Sequence, residues 1–501
     1  MNGPLRKAGV VMMVLFGLLF AQLNWVQVVK ADQYRTDVDH NRIRVQQQEY
    51  ERQRGNIIVD GEAVAQSSET RDTLKYLRSY PAKELYAHIV GYRPVNLAPT
   101  DVERMENQVL NGTADVFTAD RLLEMFTGKK SNGGNVLLSL RKQVQETAYT
   151  SLLNNKTQSK IGAVVAIDPS TGGILALVST PSYDPNPLVQ HDFDASRAAY
   201  DKLAADPTKP LNNRALSETF PPGSTYKVIM STAALQNGLS PDTVLTGGDS
   251  YTAPDTTTPI RNSPGVVCPN QIRLQDALRV SCNTAFARYG VEQLGADKLK
   301  AVSQAFGFES KPTFDPIRDP DNAMNVTESH TGNIEAPGGS VDRPALAQSC
   351  IGQREVRWTP LQAALVAASV ANDGNQMRPY LVDTVQNANL APIWRVTPSV
   401  LNRPMNSAVA AQLRQMMNSV VTNGTGTNAR IDGFEVGGKT GTAQNGDAPD
   451  HGWFIGYARK NGQPVVAVAV LIQNAGSGGS AEATAIAGQV MKAAIAAKGL
   501  K

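Results

Sequence analysis

The middle of the chain reads Phe220-Pro-Pro-Gly-Ser-Thr-Tyr-Lys-Val-Ile-Met230. Two prolines and a glycine end the preceding structure, and the apolar run after them predicts a helix up to Leu235. Ser224 then begins this helix, and Lys227 lies on the same face one turn later. A neutral lysine at that position can take the proton of the serine hydroxyl and make it a nucleophile. The pattern Ser-x-x-Lys is weak alone, because about one or two copies are expected by chance in a chain this long.

Two further motifs follow in order and make chance an unlikely explanation. They are Ser281-Cys-Asn283, before a predicted helix, and Lys439-Thr-Gly-Thr442, within a predicted strand. A Ser-x-x-Lys, Ser-Asp-Asn-type and Lys-Thr-Gly trio is the signature of penicillin-binding proteins and class A β-lactamases.

The residue types fit one acyl-transfer reaction. Ser224 attacks a carbonyl, and Lys227 acts as the base if burial and a nearby cation keep it neutral. Lys439 is the nearby cation and can also receive a substrate carboxylate. Ser281 relays a proton towards the leaving amine, and Asn283 orients the substrate amide by hydrogen bonding.

The residues after Lys439 suit substrate binding. Gly441 has no side chain, so a substrate backbone can lie against this strand as an added strand. The backbone N–H groups of Ser224 and Thr442 are the expected oxyanion donors. The side chains of Thr440 and Thr442 either hold a carboxylate or are ordinary strand threonines.

The chain resembles class B penicillin-binding proteins, which are membrane-anchored D,D-transpeptidases, and is most similar to the actinobacterial penicillin-binding protein A group. Besides the three motifs, the resemblance rests on Arg52-Gln-Arg-Gly-Asn-Ile57, Ala166-Ile-Asp-Pro-Ser-Thr-Gly-Gly-Ile-Leu-Ala-Leu-Val178, Pro181-Ser-Tyr-Asp-Pro-Asn186, Asn213-Arg-Ala215, Ile351-Gly-Gln353 and Trp453-Phe454. It implies a stem peptide ending in D-Ala-D-Ala as donor, an acyl-enzyme with loss of the last D-Ala, and attack by the amine of a second stem. It also implies acylation by β-lactams, and partners such as a lipid-linked glycan polymerase and division or elongation proteins.

Composition excludes several other classes. The 501 residues carry a net charge of +3, and charges of both signs are scattered without a basic run interleaved with aromatics, so nucleic-acid binding is not expected. The five histidines and three cysteines show no metal-binding spacing. No metal or organic cofactor is implied.

The N-terminus predicts a membrane anchor. Arg6 and Lys7 precede a mainly apolar stretch over residues 8–29, which is long enough to span a bilayer. We expect an uncleaved single-pass signal anchor with a cytoplasmic N-terminus, which puts the catalytic part outside the cytoplasm at the cell membrane. A cleaved signal peptide and a buried helix are the alternatives.

Beyond residues 1–30, the pattern predicts an α+β or α/β multidomain chain. Residues 31–155 are expected to form a small α+β pedestal, or dimerisation, domain that begins with a polar, solvated helix or arm over residues 31 to about 60 and contains a helix over 119–126. Residues 156–501 are expected to form a β-lactamase-like penicillin-binding transpeptidase domain. A hairpin over 161–179, helices over 274–290 and 296–306, late strands over 436–444, 452–458 and 464–472, and a final helix over 481–497 imply an antiparallel sheet that pairs both ends of this domain and is flanked by helices.

Two cysteines lie close to the Ser281 motif. Cys268 and Cys282 either form a disulfide, which suits an extracytoplasmic protein, or stay unpaired. With that disulfide formed, Cys350 is a buried free thiol.

Related and unrelated functions compete with transpeptidation. A serine β-lactamase would need a water-activating group that no motif here supplies, and a D,D-carboxypeptidase differs only in using water as the acceptor. A non-catalytic scaffold is disfavoured by the intact trio. A β-lactam sensor is disfavoured because only about seven residues precede the span.

Overall fold

The computed structural model describes residues 3–30, 50, 52–95, 97–117, 132–314, 323–336 and 338–500. The predicted polar helix or arm over residues 31 to about 60 lies mostly outside these residues, and the predicted helix over 119–126 lies wholly outside them.

A five-stranded antiparallel sheet organises the C-terminal part of the chain. Its strands in spatial order are Glu435–Asn445, Ala448–Lys460, Gln463–Ile472, Gly162–Ile167 and Ile174–Thr180. The last strand of the chain thus pairs with the first strand of the domain, which confirms the predicted closure of the sheet by both ends. The predicted hairpin and the three predicted late strands are also confirmed.

Helices cover both faces of this sheet, and almost every side chain of its central strands is therefore buried. On one face, Lys142–Leu153 and Gly479–Ala497 pack together and close one hydrophobic core. On the other face lies Pro360–Ala371, all twelve residues of which are buried. A helix buried all round marks the centre of the larger core.

Further elements surround these layers. The helices are Phe193–Ala204, Lys227–Gln236, Leu274–Val280, Asn283–Tyr289, Ala296–Ala305, Arg343–Ser349 and Ser407–Asn423. Three short antiparallel pairs are Val244–Thr246 with Gln271–Arg273, Ser250–Tyr251 with Ile260–Arg261, and Gln376–Met377 with Val400–Asn402. The helix predicted over 274–290 is wrong as one element, because Ser281 has a φ of 66° and separates two helices.

A six-stranded sheet forms the pedestal and confirms its α+β character. Its order is Pro392–Arg395, Val382–Gln386, Asn135–Leu138, Ile57–Val59, Glu62–Glu69 and Tyr76–Ser79, with short helices Ala87–Val90, Asp101–Met105 and Asn107–Leu110. Two of these strands come from the C-terminal half of the chain, and the helix Lys142–Leu153 packs on the other sheet. Segments therefore cross the expected boundary at residue 155 in both directions, and that boundary stays a prediction.

A buried charge cluster ties the pedestal together. Arg54 Nε lies 2.7 Å from Glu103 Oε2, and Arg78 Nε lies 2.6 Å from Glu103 Oε1. Burial opposes ionisation of Glu103, but the charges of Arg78 and Arg54 outweigh it and lower the pKa of this carboxyl to about 2. The cluster joins the start of the pedestal to the helix Asp101–Met105.

The N-terminal helix is separate from both cores. Gly3–Asn24 continues as a wider-wound turn over Trp25–Val29. The 24 residues from Arg6 to Val29 have a mean hydropathy of 1.9 and are exposed throughout. At 1.5 Å per residue they extend about 36 Å, enough to cross the hydrocarbon core of a bilayer.

Candidate active site

A tight turn before the helix Lys227–Gln236 presents Ser224. The turn is a 3-10 segment, Gly223–Tyr226, that contains Ser224. The α-helix therefore begins at Lys227 and not at Ser224 as predicted. Gly223 has a φ of 52°, and a Cβ there would lie 2.3 Å from the carbonyl oxygen of Thr442. Only glycine therefore lets the turn lie against this strand.

Neighbouring backbone fixes the same turn. The N–H of Gly223 donates to the carbonyl of Gly352 at 2.8 Å. The indole N–H of Trp453 donates to the carbonyl of Pro221 at 3.0 Å. The serine thus sits on a segment held from two sides, which limits its movement relative to the groups that act on it.

Lys227 reaches the serine and two acceptors at once. Its Nζ lies 3.1 Å from Ser224 Oγ, 2.6 Å from Asn283 Oδ1 and 2.8 Å from the carbonyl oxygen of Ser281. A neutral amine has two N–H groups and one lone pair. Because the two acceptors take the two N–H groups, the lone pair is available to the serine hydroxyl.

The surroundings of Lys227 favour its neutral form. The side chain is fully buried, and this burial, followed by the positive charge of Lys439, puts the pKa of Lys227 well below its ordinary value. The same burial lowers the pKa of Lys439 to about 7. Two ammonium groups this close disfavour each other, so the arrangement favours a neutral amine on one of the two lysines.

Ser281 bridges the two lysines. Its hydroxyl oxygen lies 3.2 Å from Lys227 Nζ and 3.0 Å from Lys439 Nζ. The left-handed backbone at Ser281 places it between the helices Leu274–Val280 and Asn283–Tyr289. The three sequence motifs therefore form one hydrogen-bonded group, although Ser281 and Lys439 alone are 158 residues apart in the chain.

The strand Glu435–Asn445 forms the other wall. Lys439 Nζ also donates to the carbonyl of Thr440 at 2.9 Å. At Gly441 a Cβ would approach Thr225 Cγ2 to 2.8 Å, so a larger residue would push the strand off the serine turn. The hydroxyl of Thr440 is 2.6 Å from that of Thr425, whereas Thr442 is exposed and lines the cleft.

The serine opens into a cleft of about 1010 Å³. Most of its lining residues belong to the segment 258–264, to the hairpin of strands Glu435–Asn445 and Ala448–Lys460, and to the glycine-rich loop 476–478. The residues are Ser224, Thr258, Pro259, Ile260, Arg261, Asn262, Ser263, Pro264, Asn283, Gln348, Ile351, Gln353, Thr442, Gln444, Asp447, Ala448, Pro449, Asp450, Gly476, Ser477 and Gly478.

Several contacts here were missed by sequence reasoning. Asn283 is held by the carbonyl of Arg261 and the side chain of Asn262, in a segment for which the sequence predicts no functional residue. Thr425 was missed as the partner of Thr440. Their only sequence signal is polar composition, which is common to loops in general.

The structure decides between the two states predicted for the cysteines. The structure contains the Cys268–Cys282 disulfide, and Cys350 is a buried free thiol. Trp453 is buried as a packing residue. His451 lies buried in the strand Ala448–Lys460, and its Nδ1 accepts the N–H of Asn474.

One group of possible metal ligands was not anticipated. Glu309, Glu328 and His330 approach each other outside the cleft lining. Glu309 already accepts hydrogen bonds from the N–H and hydroxyl of Thr331 and lies 2.9 Å from His330 Nδ1. These contacts account for the arrangement at an exposed surface.

Two families match most of the chain between them. Residues 162–492 match the penicillin binding protein transpeptidase domain. Residues 54–136 match the penicillin binding protein A dimerisation domain. The first match contains all three motifs, and the second falls within the pedestal.

Similar proteins are found over the full length. Peptidoglycan D,D-transpeptidase PbpA of Mycolicibacterium smegmatis is 43% identical, and its namesake in Mycobacterium tuberculosis is 38% identical; each match covers 99% of both chains. The solved ceftriaxone acyl-enzyme complex of penicillin-binding protein A from M. tuberculosis has a TM-score of 0.82 at 38% identity, covering 90% of this chain and 100% of that one.

Proposed function

The chain belongs to the penicillin-binding protein transpeptidase family, and on that premise we propose that it is a peptidoglycan D,D-transpeptidase whose acyl-enzyme forms on Ser224. One observation carries the assignment of the nucleophile. Lys227 Nζ lies 3.1 Å from Ser224 Oγ while its other short contacts include two acceptors, Asn283 Oδ1 and the Ser281 carbonyl. That arrangement gives Ser224 a base with a free lone pair.

Acylation begins when Ser224 Oγ attacks the carbonyl between the last two residues of a stem peptide ending in D-Ala-D-Ala. The serine proton passes to Lys227 as the new C–O bond forms. The backbone N–H groups of Ser224 and Thr442 are proposed to stabilise the oxyanion, because a preorganised donor pair is worth several kcal/mol in such a step. The C–N bond then breaks.

Ser281 is proposed to carry the proton to the leaving group. Its hydroxyl contacts both lysine amines, so it can accept a proton from Lys227 while donating one to the amine of the departing D-Ala. The released D-Ala takes that proton, and the acyl group stays on Ser224. A second stem's amine attacks the ester, returns a proton by the same route, and restores the free serine.

The substrate carboxylate is proposed to lie near Lys439, Thr440 and Thr442. Thr442 is exposed in the cleft and can donate directly. The hydroxyl of Thr440 has one donor and two acceptor positions, so it can accept from Thr425 and still donate to a carboxylate. Gly441 leaves room for the substrate backbone along the strand, and Asn283 is proposed to orient the substrate amide.

β-Lactams are proposed to acylate the same serine. Penicillin-binding protein A from M. tuberculosis has been solved as acyl-enzyme complexes with ceftriaxone, imipenem and penicillin G. This chain shares 37 to 38% sequence identity with those proteins. A stable adduct of this kind would also distinguish the chain from a β-lactamase, which releases the drug.

The membrane arrangement is part of the proposal. The exposed apolar helix up to Val29 supports a single-pass anchor, with the N-terminus in the cytoplasm and residues from about 30 outside it. Residues 31–155 are proposed as the pedestal or dimerisation domain and 156–501 as the transpeptidase domain. Protein partners are proposed to be a lipid-linked glycan polymerase and division or elongation proteins.

Labelling of the full chain in detergent with a fluorescent penicillin tests the catalytic assignment. Peptide mass mapping should find the adduct on Ser224, and Ser224→Ala should remove it. Lys227→Ala should slow labelling strongly, because general-base help contributes about 10²- to 10⁴-fold. Thermal unfolding of each variant serves as the folding control.

A time course after removal of free drug separates the alternatives. A persistent adduct supports a penicillin-binding enzyme, and release within seconds to minutes would instead indicate a β-lactamase. Incubation with a D-Ala-D-Ala peptide, with and without an amine acceptor, then distinguishes transpeptidation from carboxypeptidation. A folded wild-type chain that never acquires an adduct would refute the proposed enzyme.

A further inference from the structure

The helix Asn283–Tyr289 is capped by a residue from another part of the chain. Its own preceding residue, Cys282, offers only a disulfide sulfur, 3.3 Å from the N–H of Ala285, and sulfur is a weak acceptor. Asn262 Oδ1 instead accepts the N–H of Asn283 at 2.8 Å and that of Thr284 at 3.3 Å. An asparagine oxygen is a favoured cap for such free N–H groups.

The residue next to this cap fixes the side-chain amide of Asn283. Asn283 Nδ2 donates to the carbonyl of Arg261 at 2.9 Å. With the nitrogen committed to that carbonyl, Oδ1 faces the opposite way and lies 2.6 Å from Lys227 Nζ. The pair Arg261–Asn262 therefore controls both the backbone and the amide orientation of Asn283.

Asn262 is itself anchored. Its Nδ2 donates to the carbonyl of Gly248 at 2.9 Å, and the hydroxyl of Thr284 donates to the same carbonyl at 2.8 Å. The Cys268–Cys282 disulfide joins the same segment to the residue before Asn283. A continuous set of contacts thus connects Gly248, Asn262 and Asn283 to the catalytic amine.

We propose that Asn262 is a positioning residue for acylation. It holds Asn283 so that the asparagine oxygen accepts from Lys227 and leaves the lysine lone pair to the serine hydroxyl. The proposal rests on the proposed function, since it assigns a role within that same site. Asn262 is half-buried and lines the cleft, whereas most helix caps have no relation to a reacting group.

A purely structural cap and a positioning residue make different predictions for the pH profile. An ammonium has three donors, so an acceptor such as Asn283 Oδ1 favours the charged form of Lys227. Displacing Asn283 should lower the pKa of Lys227 further, because one acceptor is lost. Lys439 is the titratable group whose charge acts on Lys227 in the described structure, and it is unchanged by the substitution.

The experiment measures the second-order rate of Ser224 acylation by a fluorescent penicillin from pH 5 to pH 10 in the full chain. Asn262→Ala should lower the plateau rate about 10- to 100-fold, because small misplacements of catalytic groups have effects of this size. The acid limb of its pH–rate profile, where the acylation rate falls as the pH is lowered, should move to lower pH. Asn262→Asp keeps acceptor oxygens for the cap but adds a negative charge, so it should retain most of the plateau rate and move the limb to higher pH.

Asn270→Ala is the matched control, since Asn270 is an exposed asparagine of the same segment. It should leave both the plateau and the limb unchanged. The proposal would be overturned if Asn262→Ala kept both the plateau acylation rate and the acid-limb position of the wild-type chain. A lower plateau with an unmoved limb would also overturn it, because that result indicates a structural cap alone. Absence of labelling in the wild-type chain would instead refute the proposed function.

Discussion

Burial of the Lys439 charge should destabilise the fold, and replacing this lysine by methionine should recover part of that stability. Lys439 is fully buried, and burial lowers its pKa from 10.5 to about 7. At 1.36 kcal/mol per pH unit, this difference corresponds to about 5 kcal/mol of unfavourable free energy for the buried charge. Methionine has a similar length and no charge.

The hydrogen bonds of Lys439 reduce the expected gain. Its amine lies 3.0 Å from Ser281 Oγ and 2.9 Å from the Thr440 carbonyl, and each such bond contributes about 1 kcal/mol net. We therefore expect Lys439→Met to raise the free energy of unfolding by about 2 to 3 kcal/mol at pH 7. Acylation should be lost in the same variant, because the cation and the contact to Ser281 are gone.

The sign of the pH dependence follows from the proton balance. Between pH 7 and 10.5 the unfolded chain keeps the Lys439 proton while the folded chain has released it. The unfolded state then binds more protons, so wild-type stability rises with pH over this window. The advantage of Lys439→Met should be constant below pH 7, shrink as the pH rises, reach zero near about pH 9 and reverse by about pH 10.5, where only the lost hydrogen bonds remain.

Urea unfolding at pH 6, 8 and 10 measures this effect, with the fluorescence of the buried Trp358 and Trp453 as the signal. Lys202→Met is the control, because Lys202 is exposed on the helix Phe193–Ala204. A variant Lys439→Met that is less stable than wild type at pH 6, or whose advantage does not change with pH, would refute the reasoning.

Three further outcomes are expected. The acid limb of the acylation rate should lie well below pH 10.5, because only the neutral amine of Lys227 accepts the serine proton and its pKa is lowered. An acid limb near pH 10.5 in the labelling rate would contradict this. Gly352→Ala should slow acylation of Ser224 at least about tenfold. Gly352 has a φ of 72°, and a Cβ there would lie 2.1 Å from the carbonyl oxygen of Gly223, so the serine turn would have to shift. A wild-type rate in stopped-flow labelling would contradict this prediction. Glu103→Gln should lower the free energy of unfolding by about 3 to 5 kcal/mol, because it leaves two buried arginines without their shared carboxylate. An unchanged midpoint of urea unfolding would show that this charge cluster does not stabilise the fold.

Much of the catalytic domain was predictable because its signals are local. The Pro-Pro-Gly sequence before Ser224 marks a turn and a helix start, and the alternating apolar strands mark the hairpin and the late strands. Each of these patterns lies within about twenty residues or fewer of sequence. The helix predicted over 274–290 failed for a local reason as well, since its composition is helical but Ser281 adopts a left-handed backbone.

The pedestal shows where local patterns stop being informative. The first strand of the pedestal sheet, Ile57–Val59, lies more than 300 residues before the strands Val382–Gln386 and Pro392–Arg395. Val382–Gln386 joins this sheet by pairing with Asn135–Leu138, and Pro392–Arg395 pairs with Val382–Gln386. Nothing in a short apolar strand specifies which edge it will join, because any exposed edge offers the same backbone groups. That pairing depends on how the two cores pack against each other.

The sequence by itself determined the chemical groups of the site, since a serine hydroxyl and two lysine amines are residue identities. It also determined that Ser224 and Lys227 face the same way, because one helical turn fixes their separation. Only the tertiary structure decided that the hydroxyl of Ser281 meets both lysines and that Asn262 holds Asn283. These contacts join segments far apart in the chain, and only the folded core buries both lysine amines and lowers their pKa values.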